Sequence, residues 1–229
     1  MPSSSPAPID TGALHFLYVA DPLCSWCYGF SPVVRSLAAT FADRLPTRIV
    51  MGGLRAGNTR AMRDTDKDYI RNAWTKVGTA TGRPFDMAFF ERDGFVYDTE
   101  PVCRALVTAR EWPTMPPELP LHFMDRLSAA FYAANRDVTN PETLSDIAAE
   151  AGFDRQEFLE RLTSADMRNA TFKDFLTAQQ MGVEGFPLLA AGSDEKGFAL
   201  ITHGYRPIDG MAEAIETWLG SGAPVTPAA

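Results

Sequence analysis

Cysteine and histidine are scarce in this chain, three of each among 229 residues, and that scarcity excludes two ways of holding a fold together. Three cysteines cannot build a disulfide scaffold. A zinc site around any close pair would have to be completed from one further cysteine and the scattered His15, His122 and His203. Long apolar runs are lacking too. No stretch approaches the roughly 18 consecutive apolar residues of a membrane span, and residues 1–12, MPSSSPAPIDTG, have neither the basic start nor the apolar middle of a secretory signal. The expectation is a soluble, cytoplasmic protein. Basic residues are outnumbered, 21 lysines and arginines against 29 aspartates and glutamates for a net charge of −8. That balance argues against nucleic acid and membrane surfaces as partners.

Apolar residues are present in quantity, 45% of the chain with 11% aromatic, enough to bury one large core or a domain carrying an insertion. Against that background the two cysteines spaced Cys24-Ser25-Trp26-Cys27 stand out. They follow His15-Phe16-Leu17-Tyr18-Val19-Ala20, a run of aromatic and β-branched residues that reads as a strand, broken by the turn-forming Asp21-Pro22. After them Trp26, Phe30, Val33, Val34, Leu37, Ala38 and Phe41 recur at helical spacing. Cys24 then lies at a helix N-terminus, where unpaired N–H groups and the dipole favour a thiolate, the nucleophilic form. Cys27 lies one turn further in on the same side, placed to resolve a mixed disulfide formed at Cys24. Half of a zinc site and a pair of inert buried thiols are the alternatives.

Residues 1–12 and 222–229 are Pro-rich, small and aperiodic, and read as a disordered N-terminus and a flexible tail. Between them the helix after the cysteines is expected to end near Asp43, and Thr47 to Met51 reads as a second strand stopping at Gly52-Gly53. From 58 to 181 the pattern is helical, with segments near 67–79, 84–92, 101–110, 118–135, 141–151, 154–163 and 165–181. Two short strands at 187–191 and 198–202 around the polar turn Gly192 to Gly197, then a helix over 208–219, complete a βαβ, helical insert, ββα order.

The strand, the C-x-x-C at a helix start, the closing ββα and the Phe186-Pro187 step together resemble the thioredoxin superfamily, and the helical insert resembles its DsbA-like branch. The wording Asp21-Pro22-Leu23-Cys24-Ser25-Trp26-Cys27-Tyr28-Gly29-Phe30, with Gly52-Gly53-Leu54-Arg55, is similar to cytosolic FrnE-like thiol-disulfide oxidoreductases. The resemblance implies an α/β thioredoxin-like fold with a large α-helical insertion between the second and third strands. Its thioredoxin-like parts would be residues 13–57 and 182–221, and its insertion 58–181. It also implies an attacking Cys24, a resolving Cys27 and a cis Pro187 facing them, with no cofactor and no metal. The partner would be a protein or small molecule bearing a thiol or disulfide, glutathione included. Ser25, Trp26 and Pro187 would tune the redox poise, and Trp26, Tyr28, Phe30 and Phe186 would offer an apolar apron, with Trp26, Phe186 and Pro187 meeting the substrate. Pro32 matches the superfamily's helix-kinking proline.

This sequence departs from the superfamily pattern at two positions. Tyr18 stands where a buried acid for proton transfer is often found, leaving Asp21, read foremost as a turn former, as the nearest carboxyl. Trp26 replaces the histidine of strongly oxidising members, and an indole cannot become a cation. Cys103 reads as a buried apolar thiol, His122 as a packing residue and Gly52-Gly53 as a tight turn. Arg55, Arg60 and Arg63 are either solvated charges or a site for an anionic substrate. Two other function classes remain open: a glutathione-dependent isomerase or transferase of the same fold acting on small aromatic substrates, and a non-enzymatic redox-sensing or metal-binding module.

Overall fold

The computed structural model describes residues 13–114 and 116–221; the expectations for both termini concern residues outside that range. A four-stranded sheet with order β2-β1-β3-β4 forms the spine, from β1 (His15–Ala20), β2 (Thr47–Met51), β3 (Leu188–Ser193) and β4 (Gly197–His203). β1 runs parallel to β2, with Ala20 beside Met51, and antiparallel to β3, which pairs antiparallel with β4. β1 is buried along its whole length. Its central position explains why it reads as a continuous apolar run: Phe16, Tyr18 and Ala20 enter the main core, while Leu17 and Val19 pack on the other face with Val50 and Ala178.

Helix α1 (Ser25–Thr40) connects β1 to β2 and carries Pro32 inside it. Between β2 and β3 lies the helical insertion: α2 (Asp64–Thr81), α3 (Glu100–Arg110), α4 (Leu119–Tyr132), α5 (Pro141–Glu150), α6 (Arg155–Leu162) and α7 (Ala165–Gln180), and α8 (Met211–Ser221) closes the chain. The fold is thus the DsbA-like thioredoxin architecture. The insert has its own aromatic centre, Trp74 meeting Phe85, Phe89, Phe90, Phe131 and Tyr132 at centroid distances of 4.8–5.8 Å. It joins α1 through the stack of Tyr28 on Tyr132 at 5.0 Å. It grips the sheet through Asp174 of α7, whose carboxylate accepts from Met51 N at 2.9 Å and from Arg110 Nη1 at 2.7 Å, while Arg110 also reaches Ile49 O at 2.8 Å.

Several elements differ from expectation. The helix expected over 84–92 is a 3₁₀ turn at Met87–Glu91, started by Asp86 accepting from Ala88 N, which lets the consecutive Phe89 and Phe90 both bury against Trp74. The last helix begins at Met211 rather than Ile208, because Met211 N bonds Ile208 O and Gly210 takes a positive φ of 72°, closing a turn first. The hairpin strands extend through Ser193 and from Gly197, leaving only 194–196 between them.

Candidate functional site

Because β1 and β2 are parallel, the loops that follow them leave the sheet at the same edge, the position where α/β folds place ligands. Asp21 ties these loops together: its carboxylate accepts from Leu23 N at 2.8 Å and from Leu54 N at 2.7 Å, and Gly52 N bonds Ala20 O at 2.8 Å. Cys24 is the residue preceding α1, with extended backbone, its N–H on Asp21 O and its carbonyl on Tyr28 N. No side chain caps this helix end, so first-turn N–H groups remain for an anion. The insert clamps the same turn, Ser128 Oγ donating to Pro22 O at 2.8 Å and Tyr97 Oη to Leu23 O at 2.9 Å.

Both sulfurs are free thiols. Cys24 retains 6% exposure and Cys27 none, so only the first is open to a partner. Burial first, and then the neighbouring Cys24, push the Cys27 thiol up. The buried Tyr18 hydroxyl has no hydrogen-bond partner among the described residues; burial and then the nearby Cys27 sulfur raise the phenol. Asp21 is wholly buried, and desolvation raises its carboxyl against the lowering effect of the Thr99 hydroxyl and its backbone donors. It lies within electrostatic reach of Cys27 and of Cys103, whose thiol is raised by burial first and by Asp21 next. Asp21 is thus both the expected turn former and a carboxyl under the dithiol. Cys103 is buried, as a small apolar thiol would be.

The loop 182–187 supplies the opposite wall. The Phe186-Pro187 bond is cis, Pro187 is buried, and the Cys24 thiol donates to Phe186 O at 3.5 Å. Gly52-Gly53 does more than turn. A Cβ on Gly52 would stand 2.0 Å from Phe186 Cζ, and one on Gly53, at φ 66°, 2.8 Å from the Phe175 ring. The missing side chains therefore seat two aromatic rings, one of them on the residue that faces Cys24. Ser25 opens α1 and is partly buried; Trp26, also partly buried, stacks on Tyr205 at 5.7 Å and 29°. The expected apron is smaller than its four aromatics. Trp26 and Phe186 are only partly buried, but Tyr28 and Phe30 are buried, Tyr28 against Tyr132 and Phe30 beside Tyr18, because α1 is covered by both sheet and insert. Leu54, 45% exposed, takes a place on the rim. His122 is an exposed residue 3.4 Å from Arg35 rather than a packing one, its helix turning it outward between the buried Leu121 and Phe123. Tyr97, Thr99, Ser128 and Tyr205, which brace the site, carried no signal in the sequence. Among the described residues no group of three or more His, Cys, Asp or Glu is arranged to hold a metal ion.

Residues 17–216 match the family described as a DSBA-like thioredoxin domain. A candidate protein disulfide isomerase of Nitrosomonas europaea superposes with a TM-score of 0.83 at 31% identity, covering 92% of this chain and 100% of that one. The cytosolic disulfide reductase DsbM of Pseudomonas aeruginosa superposes with a TM-score of 0.71 at 23% identity over 91% and 100% of the two chains, and its structure with GSH with 0.67 at 24% over 90% and 99%. Among curated proteins, the ClpXP adapter protein SpxH of Halalkalibacterium halodurans is 25% identical over 207 residues, 87% of this chain and 66% of that one. SpxH of Bacillus subtilis is 23% identical over 177 residues, 77% and 57% respectively. This chain therefore spans just under two thirds or less of the length of these two curated relatives.

Proposed function

The chain belongs to the DSBA-like thioredoxin-domain family, and from that premise and the site's geometry we propose that it is a cytoplasmic thiol-disulfide oxidoreductase working through Cys24 and Cys27. The observation that carries the reading is the asymmetry of the pair: Cys24 at the rim, at an uncapped helix end and against Phe186 O, and Cys27 sealed one turn behind it.

In the direction of substrate reduction, the Cys24 thiolate attacks one sulfur of a disulfide R–S–S–R′. A Cys24–S–S–R bond forms, the S–S bond of the substrate breaks, and R′S⁻ leaves. Cys27 then gives up its proton and attacks the Cys24 sulfur, releasing RS⁻ and forming the Cys24–Cys27 disulfide. Two electrons have passed to the substrate, and a dithiol or two monothiols must return them. Burial raises the Cys27 thiol, so this second step needs a proton acceptor. Asp21, wholly buried and within electrostatic reach of Cys27, supplies the carboxyl for it. Phe186 presents a backbone carbonyl, with Trp26 and Leu54 as apolar surface, to a peptide or small disulfide; neither a metal nor an organic cofactor takes part.

The test is turnover of an insulin-type disulfide with a supplied dithiol. Activity that disappears in Cys24→Ser is expected. Undiminished activity in that variant would overturn the assignment. A second reading, a docking adapter without turnover, is favoured by the likeness to the ClpXP adapter proteins SpxH; a wild-type protein that reduces no disulfide would select it.

A further inference from the structure

The three arginines that follow the glycine pair have separate fates. Arg63 is bound to Asp66 at 3.0 Å and Arg60 is exposed on the surface. Arg55 is different. It is partly buried, its guanidinium lies 5.3 Å above the Tyr97 ring, and its backbone N–H is fixed on Thr99 Oγ1 at 3.1 Å. The preceding residue is tied to Asp21, and Tyr97 itself bonds Leu23 O, one residue before Cys24. The backbone of Arg55 is thus held by the bonds of residues 54 and 55, and its guanidinium lies over Tyr97, the ring whose hydroxyl bonds the residue before Cys24.

Among the described residues Arg55 makes no ion pair. The carboxylates of its surroundings are engaged elsewhere: Asp66 with Arg63, Glu100 with Arg104, and Asp98 Oδ1 with the N–H groups of Gly57 and Glu100. Asp21 is sealed beneath the turn. A fixed, partly desolvated guanidinium without a carboxylate offers two parallel donors to one that arrives. The chain as a whole repels anions, at net charge −8, so an anionic substrate needs a local cation at the point of attack.

We infer that Arg55 anchors a carboxylate of the substrate next to Cys24, and that the dithiol therefore prefers small disulfides carrying carboxylates over neutral ones. The inference rests on the proposed dithiol reaction and names its substrate class. The experiment compares glutathione disulfide, which is anionic, with hydroxyethyl disulfide, which is neutral, as substrates turned over with a supplied dithiol that re-reduces the protein, and reads the ratio of kcat/KM for the two, each corrected for its reaction with the dithiol alone. Arg55→Met keeps an apolar stem over Tyr97 while removing the charge. Its ratio is expected to fall about tenfold, through KM for the anionic probe, as loss of a charge-assisted hydrogen-bonded pair predicts. Arg55→Lys is expected to retain part of the preference. An unchanged ratio in Arg55→Met, whether both rates hold or both fall together, would overturn the inference and leave the dithiol reaction standing. A wild-type protein that turns over neither probe would instead overturn the dithiol reaction.

Discussion

Replacing Gly52 by Ala tests whether the glycine pair seats the loop that faces Cys24. The new methyl would stand 2.0 Å from Phe186 Cζ and 2.1 Å from Cε1, well inside the 3.5–4.0 Å of ordinary carbon contact, so the ring must leave its place. Two limits bracket the cost. Overpacking a fitted site costs about 1–3 kcal/mol. Expelling the ring altogether forfeits at most the burial of a phenylalanine, about 1.5–3 kcal/mol when complete, and Phe186 is only partly buried. A loss of about 1–2 kcal/mol follows, which for a chain of this size lowers Tm by about 2–8 °C. Disulfide turnover should fall further than stability, because Phe186 also carries the carbonyl on the Cys24 thiol. Thermal melts and insulin-type turnover of Gly52→Ala, Phe186→Ala and the double variant measure both effects. In the double variant the methyl has room, so the two stability losses should not add, with a coupling of about 1 kcal/mol. A Gly52→Ala protein with unchanged Tm and turnover would refute the packing argument, as would additive losses.

Asp21 makes stability depend on pH. Its folded-state pKa is raised above the usual 3.8 by burial, so the stability contributed by its neutral form is fully present below about pH 3.8 and is lost as pH climbs through the higher folded value, by up to about 1.4 kcal/mol per pH unit. Asp21→Asn removes that slope, and urea unfolding of both proteins from pH 4 to 7 should give profiles that are not parallel; parallel ones would deny Asp21 a raised pKa. Asp174→Ala takes from Arg110 one of its two carboxylates, leaving Glu111 at 3.3 Å, and from Met51 N its acceptor. It should cost about 3 kcal/mol by denaturant unfolding, the lower end of the range for a broken buried pair because Arg110 keeps a quarter of its side-chain exposure; a loss under about 1 kcal/mol would contradict the grip on β2. Trp26 cannot supply the cationic stabilisation of a histidine, so the wild-type potential should lie in the reducing half of the range from about −270 to −120 mV. Trp26→His should move it about 40 mV upward if the cation gains about 2 kcal/mol; equilibration against a glutathione buffer reads both, and a wild-type value near −120 mV or no shift would show that Trp26 does not set the poise.

The parts of the fold that local pattern determines were legible. β1, α1 and β2 follow from apolar periodicity and the Asp21-Pro22 break, and α5 from Asn140, whose side chain accepts from Glu142 N before Pro141 opens the helix. What failed was set by tertiary packing. Phe89 and Phe90 have helical company in sequence, yet both must reach Trp74, and a 3₁₀ turn delivers them. Tyr28 and Phe30 look like rim aromatics because they adjoin the cysteines, but the insert covers them. The bracing of the site was invisible for the same reason. Ser128 meets Pro22 from 106 positions away and Tyr97 meets Leu23 from 74, and no spacing rule links such residues. Gly52-Gly53 was legible as a turn, but not as the seat of Phe186.

The central claim, a dithiol in which Cys24 attacks and Cys27 resolves, is tested most directly by mass analysis of what the protein holds after one exposure to glutathione disulfide. The reduced wild type should lose two thiols and gain an internal Cys24–Cys27 bond, without a lasting adduct. Cys27→Ser should instead trap one glutathione on Cys24, because the resolving thiol is gone. An adduct located on Cys27 or Cys103, or a Cys27→Ser protein that releases its glutathione as fast as the wild type, would contradict the account.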